Sequence, residues 1–153
     1  MNFTSTRRRG LRCLAAAASA PLLILAPSAA QAGQAPITWT FDKCQDGSGV
    51  WTGSATSDGT TDSLRTQLTG AWPVDDEGDP TTPILHVTFN WEVQGVLLAN
   101  LRGILNTSTG SVVMNGVVVD GAYAGSRMHE EGQLYDAERF CFAGTFSVLP
   151  ATA

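Results

Sequence analysis

Between residues 84 and 93 the chain reads Ile-Leu-His-Val-Thr-Phe-Asn-Trp-Glu-Val, and this alternation constrains the fold more than any other stretch. Leu85, Val87, Phe89, Trp91 and Val93 fall on one side of an extended chain, and His86, Thr88, Asn90 and Glu92 on the other, because side chains in a strand alternate with a period of two. One face therefore belongs to a core and the other to water. A three-residue loop, Gln94-Gly95-Val96, predicts a return strand in which Val93 faces Leu97, Trp91 faces Ala99, Phe89 faces Leu101 and Val87 faces Gly103. A two-residue turn would mix the faces, opposing Trp91 to Leu98 and Phe89 to Asn100.

The first 32 residues are set apart from the folding argument. Arg7, Arg8, Arg9 and Arg12 precede an apolar, alanine-rich run from Leu14 to Pro27, and Ala30-Gln31-Ala32 has the small-x-small form of a cleavage site. That sequence predicts an export signal over residues 1–32, through the Sec route or, given the paired arginines, the Tat route. Its apolar run, broken by Pro21 and Pro27, makes a poor permanent membrane anchor. Residues 33–153 then form a single all-β domain, long enough for one core.

All 14 acidic residues lie in that domain, against five bases, Lys43, Arg65, Arg102, Arg127 and Arg139. Such an acidic surface is a poor match for nucleic acid or anionic lipid, which select clustered Lys and Arg. Its two cysteines, Cys44 and Cys141, are expected to form a disulfide in an oxidising compartment. This bond would tie the first strand to the last.

Further alternating stretches follow the same logic. Ile37, Trp39 and Phe41 define a first strand, Val50 to Ser57 a second, and Leu64, Thr66, Leu68, Gly70 and Trp72 one face of a third. After the central hairpin come a Val-rich strand from Ser111 to Asp120, another within 122–134, and a last one whose inner face is Phe140, Phe142, Gly144, Phe146 and Val148. The expected fold is an antiparallel up-and-down β-barrel of about eight strands, with a β-sandwich as the alternative. A pattern of large residue, any residue, glycine recurs at Gly53, Gly70, Gly103, Gly116, Gly125 and Gly144. Sharp coiling of strands round a small barrel accounts for it, and close approach of a ligand to the backbone is the alternative.

Chemistry is sparse. In Arg127-Met128-His129-Glu130-Glu131 the alternation turns Glu130 inward with Met128, and His129 and Glu131 outward. Matching the last two strands by apolar face opposes Glu130 to Gly144, leaving space beside it. A carboxylate facing a core is either satisfied structurally or serves as ligand anchor or general base, its pKa raised if unpaired. Glu130 is thus the candidate anchor, with Arg127, His129 and Glu131 beside it as candidate ligand-binding groups. No HxH, HExxH or CxxC spacing marks a metal site, so His86 and His129 read as surface residues, and no cofactor is expected. The acidic run Asp75-Asp76-Glu77-Gly78-Asp79 lacks the spacing of a calcium loop and reads as a solvated connection. Of the four tryptophans, Trp51 stands among small polar neighbours and is the one to test as a site residue.

In outline the chain is similar to small exported bacterial β proteins and resembles ligand-holding eight-stranded barrels such as the calycins. It carries no avidin or dirigent signature, so no site residue is carried over. The leading functional expectation is a secreted binding module for a small apolar or amphipathic molecule, without enzyme activity. One rival is a barrel isomerase, cyclase or lyase using Glu130 as acid or base with Arg127 or His129 nearby. Another is a cell-envelope or protein-contact protein with a filled interior.

Overall fold

A computed structural model describes residues 35–150; the expected export signal lies outside them. Eight strands follow one another: β1 (Ile37–Gln45), β2 (Val50–Ser57), β3 (Thr60–Trp72), β4 (Ile84–Val93), β5 (Leu97–Asn106), β6 (Ser111–Gly121), β7 (Arg127–Asp136) and β8 (Cys141–Leu149). Each pairs antiparallel with the next, and β8 pairs with β1, so the sheet closes into an up-and-down barrel. Closure removes the sandwich alternative. The Cys44–Cys141 disulfide joins residues directly opposite each other on the closing seam.

The β4–β5 register is the expected one along its whole length, with Trp91 opposite Ala99 and Asn90 opposite Asn100. Gly95 sits in the connecting turn at φ 73°, a left-handed conformation that glycine adopts without a Cβ penalty.

Two expectations are corrected. A bulge between Leu68 and Gly70 adds a residue to β3, so beyond it Ala71 takes the inward place and Trp72 is about half exposed. At the other side of the barrel the last hairpin pairs two residues away from the expected register, and a bulge between Leu134 and Asp136 adds one residue at its turn end. Glu130 therefore stands opposite Phe146 rather than Gly144, while Phe140 is left in the turn with φ 53° and an exposed ring.

Four of the recurrent glycines sit where neighbouring strands crowd together. A methyl group at Gly53, Gly103, Gly116 or Gly144 would run into a carbonyl oxygen of the adjacent strand, those of Asp42, Val113, Asn100 and Glu131 respectively. These glycines permit the coiling rather than line a site. Gly103→Ala is expected to lower stability by about 1–3 kcal/mol, since backbone has to move to admit the carbon. A urea midpoint within error of wild type would contradict that crowding.

The middle of the barrel is aromatic. Trp39 stacks on Phe146 with ring centres 5.0 Å apart, and Trp91 meets Phe41 and Phe146 edge-on at 5.4 Å each. Toward the end carrying the β2–β3, β4–β5 and β6–β7 turns, Tyr123 packs edge-on against Trp39. A hollow at that end is bordered by Ile37, Tyr123 and Pro150. The opposite end, which carries the disulfide and the long 73–83 connection, holds a mostly apolar cavity.

Candidate functional site

The inward alternation of β1 runs from Trp39 through Phe41 to Lys43, which places a lysine inside the barrel with only 3% of its surface exposed. On β7 the same alternation turns Met128 and Glu130 inward, and Glu130 is fully buried. The two strands are separated by β8, so the side chains meet across the lumen: Lys43 Nζ donates to Glu130 Oε1 at 3.3 Å. The ammonium also lies over three rings, 4.0 Å from the centre of Trp91, 5.0 Å from Phe41 and 5.5 Å from Phe89.

Burial dominates both ionisable groups. Loss of water pushes the Lys43 ammonium below its ordinary value, with the charge and hydrogen bond of Glu130 opposing the shift. The same loss raises the Glu130 carboxyl, opposed by the charge and hydrogen bond of Lys43 and, more weakly, by His129. Each direction favours the uncharged form, as desolvation does for any buried acid or base. One proton passing along the existing hydrogen bond would neutralise both groups.

The pair leaves hydrogen-bonding capacity unused. Glu130 Oε2, Thr66 Oγ1 and Trp91 Nε1 are buried and have no hydrogen-bond partner among the described residues. Thr66 and Trp91 stand opposite each other on β3 and β4, and the indole carries the Lys43 ammonium. A polar patch therefore sits within an apolar core.

Above it is a cavity of about 290 Å³, opening at the disulfide end. Its wall is apolar, formed by Trp51, Val87, Phe89, Leu105, Met114 and Phe142 among others, and Lys43 is the charged residue at its floor. The Trp51 indole is held in place by donating to the Phe140 carbonyl at 2.9 Å. Val74, Gly78, Asp79 and Pro80 of the 73–83 connection form part of the rim. That connection is braced: Asp75 accepts from the backbone of Glu77 and Asp79, and Val74 bridges to Pro80. The Asp75 carboxylate thus serves its own loop. Among the described residues no group of three His, Cys, Asp or Glu side chains gathers to hold a metal ion.

Of the four candidate ligand-binding residues on β7, Glu130 alone points inward. His129 lies on the outer wall, bonded to Asn115 at 2.8 Å and to Glu131 at 3.1 Å, and Arg127 is exposed on the same strand. His86 is also outside, stacked on Trp72 at 5.4 Å. Trp51 does line the cavity. The residue that sequence reasoning missed is Lys43: Ile37, Trp39 and Phe41 alone define the expected first strand, although their alternation continues to an inward place at residue 43.

No family model matches this chain, and neither a curated protein nor a solved structure matches it, so the site is read from its own residues.

Proposed function

We propose that this barrel is an exported binding module that holds a small apolar or amphipathic molecule, its polar end set on Lys43, which is hydrogen-bonded to the buried Glu130. The observation that carries the reading is the cavity itself, mostly apolar along its wall, with Lys43 at its floor and Asp79 at its rim, a pattern common to small-molecule sites. Its volume stands near the lower end of the range for such sites, about 300–1,000 Å³. The closed Cys44–Cys141 disulfide is consistent with an oxidising, exported compartment. A filled structural barrel would have no reason to keep this space. An enzyme built on Glu130 with Arg127 or His129 loses both partners to the outer wall, and Glu131 points outward with them.

Titration with 1-decanol tests the proposal through tryptophan fluorescence, since Trp51 lines the cavity. A saturable change is expected in the wild type, and its loss in Leu105→Trp, which fills the space from the wall. No saturable response up to the solubility limit of decanol would overturn the reading.

A further inference from the structure

Lys43 is the only lysine in the sequence, and the fold places it inside the barrel. The other bases of the described residues, Arg65, Arg102, Arg127 and Arg139, are all exposed arginines. Long charged side chains are rarely buried to this extent, and one that is buried asks for a reason.

Structural stapling is a poor reason. Arginine is the better partner for a buried carboxylate, because its planar fork binds both oxygens at once. Lysine here satisfies Glu130 Oε1 and leaves Oε2 without a partner. A buried pair also gains little over apolar residues of the same size. What lysine can do and arginine cannot is lose its proton and act as a nucleophile.

We propose that Lys43 forms an imine with an apolar aldehyde or ketone seated in the cavity, with Glu130 carrying the protons. The inference rests on the cavity being a ligand site and names the class of ligand. Lys43 first gives a proton to Glu130 along their hydrogen bond. The free amine then attacks the carbonyl carbon, forming the C–N bond, while the carbonyl oxygen takes the proton from Glu130. In the resulting carbinolamine the nitrogen gives its second proton to Glu130, which passes it to the hydroxyl. The C–O bond breaks, water leaves, and the nitrogen retains one proton as an iminium. Ammonium plus carbonyl thus becomes iminium plus water, with Glu130 a carboxylate again at the end. No oxidant or reductant is needed. The product cation inherits the surroundings of the ammonium, with Trp91, Phe41 and Phe89 around it and Glu130 as counter-ion.

The test uses the wild-type protein with decanal and sodium cyanoborohydride at neutral pH, followed by peptide mapping. The hydride donor fixes any iminium as a stable secondary amine. Heavier decyl labelling at Lys43 than at the α-amine is expected, because an ordinary ion-paired lysine stays protonated and reacts more slowly than the α-amine. Decanol binding separates the two claims. If decanol binds and Lys43 is unlabelled, or is labelled only after unfolding in urea, the imine is overturned and the cavity reading stands. If decanol does not bind and Lys43 is unlabelled, both fall. In folded Glu130→Gln, labelling should be slower by about tenfold or more, the lower range of general acid–base effects; an unchanged rate would strike Glu130 from the mechanism.

Discussion

Replacing Lys43 with methionine is expected to destabilise the barrel by about 3–5 kcal/mol at neutral pH, whereas replacing Lys43 and Glu130 together with methionine should be neutral or stabilise it by up to about 4 kcal/mol. The single change strands a carboxylate that is fully buried and already lacks a partner on one oxygen. The double change removes both charges and the water-stripping penalty each carries. Acid should soften the single defect. Burial raises the Glu130 carboxyl above 4.5, and without Lys43 its main opposition is gone. A raised folded-state value means the native state binds the proton more tightly than the unfolded chain, so stability is greatest below 4.5 and falls as pH rises through the folded value. The deficit of Lys43→Met should therefore be large at pH 7 and smaller near pH 4.5. Urea midpoints for the three proteins at the two pH values check this, and a double variant as unstable as the single one would refute it.

Reduction of Cys44–Cys141, or its replacement by serines, should remove up to about 4–5 kcal/mol. The bond spans 97 residues, and on the chain-entropy model a loop of that length is among the larger restrictions that one cross-link can place on an unfolded chain. The native state has little to lose with it, because β1 and β8 remain hydrogen-bonded from Ile37–Val148 to the seam's end. The effect should therefore appear as a urea midpoint lower with reductant than without it, and in faster loss of structure on heating. A drop below about 1 kcal/mol would show that the unfolded chain is already held compact by other contacts.

Much of this fold was legible because alternation reports which face a residue occupies. It placed Trp91 against Ala99, turned Glu130 inward and sent His129 and Glu131 out. Alternation does not count residues along a strand. A slip of two preserves every face, so the last hairpin could be drawn with Glu130 opposite Gly144 when it stands opposite Phe146. Bulges defeat it in another way, by adding one residue and reversing the phase, as happens before Trp72. The site suffered from a different limit. Lys43 and Glu130 lie 87 residues apart on strands that are not neighbours, and only closure of the ring brings them together. No local pattern encodes that meeting.

The seam between β1 and β8 also orders events in time. A ribosome makes the first strand well before its second neighbour exists, so β1 must pass through synthesis with one edge bare, open to any other extended chain nearby. Because contacts between distant parts of a chain form slowly, that interval does not end the moment the last residue is made. A chaperone that recognises Ile37–Gln45 in extended form would protect the nascent protein during the period when it is most prone to aggregate.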